Sequence, residues 1–214
     1  MDALGAAWQW IRANQSDFDT ALTQQVEYVL LSLAIGIIIC VPLGIAASRS
    51  RLVSLSAINV IGTARAIPSI AILFLAVTVP FLGFQFQTAL VALTVLACLP
   101  ILVNTSAGFS GVEPAIVEAA RGMGMSAWQV LRRIELPLAL PVVMAGIRTA
   151  GLEVIASAIL ATFIGGGGLG DIITQGLSNG QIEVLLAGAI PVALMALCAE
   201  LLFSGLQRII TPAT

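Results

Sequence analysis

Charged side chains are scarce in this chain, nine basic and eleven acidic among 214 residues, so each one calls for an explanation. All nine basic residues are arginine, and there is neither histidine nor lysine. That removes His-dependent triads, His-based zinc sites, lysine Schiff bases and the Gly-Lys-Ser/Thr phosphate loop. A nucleotide motor of that type must reside on another chain. Gly165, Gly167 and Gly170 satisfy G-x-G-x-x-G. An apolar run of helical length precedes them where a dinucleotide site needs a strand, so a sharp turn with close backbone approach fits better. Arg148 and Glu153 lie inside an apolar run, where ionised groups are costly and usually face protein or a water-filled cavity. Five residues apart, they stand roughly 140° around a helix and do not share a face. Arg148, about 16 Å along the helix from Pro137, is expected to snorkel toward the nearer interface. Glu153 lies deeper. It is a candidate to line a path and attract a cationic solute, or to hydrogen-bond at a dimer interface. Arg65, just before Pro68, reads as interfacial or paired, with a path role as the alternative. Cys40, Cys98 and Cys198 fall in apolar runs and read as small packing residues.

The elements that must position these residues are membrane helices. Hydrophobic residues make up 59% of the chain, charged residues 9%, and mean hydropathy is +1.06. A soluble domain carries roughly a quarter charged residues. Five apolar runs approach the ~20 residues needed to cross a bilayer: 26–48, 67–84, 88–107, 138–164 and 183–205. None alternates with period two, so the class is an all-α integral membrane protein of about five transmembrane helices, not a barrel. Residues 52–66 are either an interfacial helix or, as preferred here, the first part of a long helix bent near Pro68. With five spans, Arg49, Arg51, Arg121, Arg132, Arg133 and Arg208 share one side, which the positive-inside rule makes cytoplasmic. The N-terminus is then outside and the C-terminus inside. Residues 1–25 read as an extracytoplasmic segment, with an interfacial helix anchored by Trp8 and Trp10 as the alternative form, ahead of one transmembrane domain over 26–208 and a cytoplasmic tail over 209–214. No basic patch is present to hold a nucleic-acid backbone.

The one long polar loop, residues 111–136, falls on the cytoplasmic side. Pro114 suits a first helical position, and Gly122 and Gly124 supply a helix stop. Ser126 followed by Gln129 forms a capping box that starts a second short helix. Pro137 marks entry into the fourth span. Two short helices at an angle, joined by a glycine hinge, suit insertion into a groove on another protein.

These residues carry a resemblance. Glu118-Ala119-Ala120, three residues, Gly124, nine residues, Ile134, one residue and Leu136-Pro137 match the EAA signature of permease subunits of bacterial binding-protein-dependent ABC importers. Residues 123–126, 136–141, 144–150 and 66–69 look like the osmoprotectant branch, importers of glycine betaine, choline and carnitine. Residues 164–171 resemble a segment shared with methionine importer permeases. The resemblance implies a multi-pass subunit of the bacterial inner membrane with no catalytic centre and no cofactor of its own. ATP and Mg would sit on two ABC ATPase subunits. Glu118 and Ala119 would face the ATPase cleft, Gly124 would permit the turn, and Arg121, Arg132 or Arg133 would form salt bridges there. A second permease copy, identical or homologous, and an extracytoplasmic solute-binding protein would complete the complex. Gly167, Gly168 and Asp171 would lie at an outer turn and short helix that gates the path, touches the binding protein, or is an ordinary tight loop. A methionine or other small-solute importer is the alternative within this class. A self-contained channel or secondary carrier is the alternative outside it, and gives the loop no purpose.

Overall fold

The computed structural model describes residues 3–49, 67–79, 83 and 85–210, and every described element is helical. Helix α1 spans Ala3–Ala13 and α2 spans Gln15–Ser48, a continuous helix of 34 residues. Residues 15–25, placed in the extracytoplasmic segment, thus belong to the same continuous helix as the first span. Nothing between Gln15 and Val26 breaks a helix, and Pro42 near the other end is absorbed. Helix α1 lies just before this helix, with Arg12 over the Trp8 ring at 5.1 Å.

Helix α3 covers Ser69–Val77, α4 Phe86–Ser110, α5 Pro114–Gly122 and α6 Ala127–Val130. A π-helical turn, Leu131–Glu135, joins α6 to α7, Leu136–Ala158, which tightens into a 3₁₀ segment, Ile159–Ile164. Helix α8 covers Leu169–Asn179 and α9 Ile182–Ile210. Among the described residues, four stretches are long and apolar enough to cross a membrane, one of them the run Ala127–Ile164.

Packing contacts give the helices their directions. Gly36 of α2 lies against Ala97 and Ile101 of α4, and Gly44 against Leu102 and Thr105, so the two helices run parallel. A connection between parallel spans must return across the layer, and α3 is the described part of that return. Among the described residues four stretches are of membrane length, close to the expected five, and α3, nine residues, stands in the place of the fifth. The residue 52–66 alternatives lie outside the described residues. Helix α7 runs antiparallel to α4: Gly108 meets Ala139, and Gly146 meets Asn104 and the Pro100 carbonyl.

Small residues sit at these contacts because apolar side chains gain nothing from leaving lipid for protein. Close backbone approach and dispersion hold the bundle instead. The main core is built from Tyr28, Leu33, Leu93, Ala97, Ile101 and Val154 with their neighbours. Hydroxyls within the spans return their protons to the preceding turn, as Thr94 does to the Leu90 carbonyl and Thr149 to Ala145. Cys40 is buried and Cys98 half-buried, as packing residues should be. Cys198, expected to pack, is instead exposed on α9 among the described residues.

Candidate functional site

The cytoplasmic end of the bundle presents the loop. Pro114 begins α5, where its missing N–H costs nothing. Ala120 is buried against the neighbouring turns while Glu118, Ala119 and Arg121 stay exposed. The chain turns at Gly124, whose φ of +84° is strained for any side chain although no atom lies near its missing Cβ. Ser126 then caps α6: its hydroxyl accepts from the Gln129 backbone N–H at 3.4 Å, and the Gln129 side-chain Oε1 accepts from the Ser126 backbone N–H at 2.8 Å.

The second short helix is not separate from the fourth span. The Leu136 N–H reaches back to the Leu131 carbonyl, a π-type bond that widens the turn. Pro137 has no N–H, and its ring would press on the carbonyl four residues earlier in a regular helix. The widened turn lets the helix run through Pro137 instead of starting there. Ile134 is half-buried, and Leu136 and Pro137 are exposed. Arg132 and Arg133 are exposed and border a surface cavity with Trp128 and Gln129. Trp128 is 66% exposed and Met123 76%.

One residue beside this loop was not singled out by the sequence. Glu135 is buried, its side chain 6% exposed, and both its oxygens accept from Arg49, Nη1 to Oε1 at 2.8 Å and Nη2 to Oε2 at 2.6 Å. The carboxylate stabilises the charged guanidinium, raising the Arg49 pKa above its ordinary value. Only the positive-inside count drew attention to Arg49, because its partner is 86 residues away.

The outer end is built around the glycine turn. Gly165, Gly167 and Gly168 all have positive φ. The turn is held by α2: Gln24 Oε1 accepts from the Gly168 N–H at 3.0 Å, and the Tyr28 hydroxyl donates to the Gly166 carbonyl. Gln25, fully buried, donates to the Ile155 carbonyl at 3.2 Å. Tyr28 also stacks on Phe86, centroids 4.5 Å apart. Asp171, exposed on α8, accepts from the Thr162 hydroxyl. It lines a cavity of about 320 Å³ with Trp10, Asp17, Gln24 and Gln175. The expected short outer helix is therefore α8, which begins two residues before Asp171.

Between the two ends, Arg148 does not snorkel alone. Its Nε donates to Glu200 Oε2 at 2.8 Å, and its Nη2 donates to Glu200 Oε1. Gln207 accepts from Nη1 at 3.5 Å. The pair ties α7 to α9, each side chain about one-third exposed. An in-span arginine with a carboxylate in reach gains more by pairing than by stretching to an interface. Glu153 is half-buried on α7. Arg65 lies outside the described residues.

Comparisons with known proteins converge. Residues 36–214 match the family described as binding-protein-dependent transport system inner membrane component. The glycine betaine/carnitine/choline transport system permease protein OpuCB of Bacillus subtilis is 42% identical over 183 residues, 86% of this chain and 83% of the relative. The choline transport system permease protein OpuBB of the same organism is 38% identical, covering 96% of this chain and 94% of the relative. The osmoprotectant import permease protein OsmW of Salmonella typhimurium is 36% identical, covering 88% and 89%. Among solved structures, the inward-facing MetNI methionine ABC transporter superposes with a TM-score of 0.77 at 21% identity, over 92% of this chain and 97% of that one. That likeness speaks for the fold.

Proposed function

This chain belongs to the binding-protein-dependent transport system inner membrane components, and from that premise we propose that its cargo is a quaternary-ammonium compatible solute such as glycine betaine, choline or carnitine. It is the membrane-spanning subunit of an ABC importer and not an enzyme. ATP hydrolysis belongs to a separate chain.

The observation that carries the mechanism is the exposed tip of α5, the Gly124 hinge and the capped α6. Glu118 and Ala119 would enter a cleft on the ATPase, one on each of two ATPase subunits, with Arg121, Arg132 and Arg133 as candidate ion-pair donors. Ile134, Leu136 and Pro137 shape the base of that element. ATP and Mg would be held by those subunits alone. Two permease copies, identical or homologous, would enclose the path, with a binding protein delivering solute to the outer face. Gly167, Gly168 and Asp171 lie at that face and would gate the path or meet the binding protein. Glu153 is the candidate to line it. The substrate class is supported by the printed functions of the sequence relatives. The MetNI likeness speaks only for the architecture.

Reconstitution with its ATPase and binding protein in vesicles tests this. Labelled choline, glycine betaine, carnitine and methionine are offered with and without ATP. ATP-dependent uptake of a quaternary ammonium compound is expected. Uptake of methionine alone would overturn the substrate class, and uptake without ATP would make the chain a channel or carrier. Glu118→Arg should abolish ATP-driven uptake while leaving insertion intact, and normal uptake by that variant would remove the docking role.

A further inference from the structure

Two sets of hydrogen bonds, one at each end, tie α2 to the α7 assembly. At its outer end, Gln24, Gln25 and Tyr28 hold the glycine turn and the Ile155 carbonyl. At its inner end Arg49 sits at the C-cap of the helix, its backbone N–H still bonded to Ala46 and Ala47. Its guanidinium takes both oxygens of Glu135. Glu135 is the last residue of the π turn joining α6 to α7. A π turn carries an extra residue, so side chains on its two sides are rotated roughly 100° from the register of an unbroken helix. That register turns Arg132 and Arg133 outward, exposed, and Glu135 inward, buried. The carboxylate is thereby aimed at α2 from the base of the very element proposed to dock on the ATPase.

We propose that Arg49 and Glu135 are a positioning pair that carries displacement of the α5–α6 element into α2, and through α2 to the outer glycine turn. The pair touches neither solute nor nucleotide. This role rests on the docking assignment above. The bidentate fork fixes orientation as well as distance, which a single contact would not. Glu135 has little water to fall back on, so loss of the arginine leaves a buried charge without its partner. The α5–α6 element can then move without taking α2 along, and hydrolysis proceeds without a matched transport step.

The test uses the assembled importer in vesicles, with choline and glycine betaine as labelled probes. It compares Arg49→Gln, Glu135→Gln and the swap Arg49→Glu with Glu135→Arg. Three quantities are read: ATPase retained on purification, ATP hydrolysed, and solute imported per ATP. The glutamine variants should retain the ATPase and hydrolyse ATP, while import per ATP falls about tenfold. The swap should recover most of that loss. Arg49→Lys keeps the charge but loses the fork, and should give a smaller fall of about threefold; it serves if the glutamine variants fail to insert. Unchanged import per ATP in these variants would overturn the proposal. So would hydrolysis and import falling in equal proportion, which marks a docking or folding defect. A swap no better than the single changes would also overturn it. A wild-type complex that imports neither these probes nor labelled carnitine or methionine with ATP would instead refute the transport reading, and the pair's role with it.

Discussion

Replacing Glu200 by leucine leaves Arg148 without its carboxylate partner inside the bundle. Glu200 lies eight residues before Arg208 on α9, about 12 Å by helical rise, and Arg148 twelve residues beyond Leu136 on α7, about 18 Å. Both are well within a layer of about 30 Å. An arginine at the centre of a spanning helix costs about 2.5–3.5 kcal/mol on insertion scales. Each side chain is about one-third exposed, and Gln207 remains within 3.5 Å, so the cost falls a little below that range. Glu200→Leu should destabilise the fold by about 2 kcal/mol, roughly thirtyfold in the unfolding constant. Arg148→Leu, which strands the carboxylate, should cost about as much. The double leucine variant removes both charges together and should stay within about 1 kcal/mol of the parent. The non-additive part then approaches ~3 kcal/mol, at the upper end for residues in contact. Equilibrium unfolding of the four proteins in mixed micelles measures all sides of this cycle. Additive single-variant costs would refute the reasoning, since they would show each charge solvated independently. A double variant weaker than either single one would refute it equally.

Gly146→Val should disrupt the α4–α7 contact, because even a Cβ would sit 2.6 Å from the Asn104 Cβ and 2.9 Å from the Pro100 carbonyl oxygen. A loss of about 1–3 kcal/mol in the same unfolding assay is expected; an unchanged midpoint would mean the helices separate freely. Tyr28→Phe removes the donor to the buried Gly166 carbonyl and should cost about 1–3 kcal/mol, with faster hydrogen exchange over residues 165–169. Unaltered exchange there would show that Tyr28 does not hold the turn. Gly124→Val must adopt a φ of +84° in open space, a strain of about 1–2 kcal/mol or more for a branched residue. Protease cleavage between residues 119 and 129 should rise while insertion is unchanged; equal cleavage rates would show that the hinge tolerates a side chain.

Most of the architecture was legible because its signal is local. Apolar runs of membrane length announce helices 26–48, 88–107, 138–164 and 183–205, and arginine placement orients them. Local chemistry also exposed the loop: Pro114, Gly124 and the Ser126–Gln129 cap each behave as their side chains dictate. Two boundaries were hidden for physical reasons. Residues 15–25 are polar but contain no breaker, so hydropathy ended α2 where its helix does not end. Pro137 looked like a helix start because a proline normally interrupts one, and only the π turn before it reveals how the helix continues. Ion pairs were the least legible. Glu135 and Glu200 lie 86 and 52 residues from their arginines. Which carboxylate meets which guanidinium depends on helix register, which no single segment encodes. For the same reason Arg148 was assigned to the interface, when its partner was on a neighbouring span.

The uninterrupted run from Ala127 to Ile164, 38 residues, is about 55 Å long by helical rise, nearly twice the hydrocarbon thickness. It is a continuous helical rod that reaches from α6 at the cytoplasmic end to the outer glycine turn. If the rod pivots near the middle of the layer, a tilt of only ~10° moves each end by roughly 5 Å in opposite directions. A small push at one surface of the membrane is thereby returned, reversed in sense, at the other, with no need for the helix to bend, slide or refold along the way.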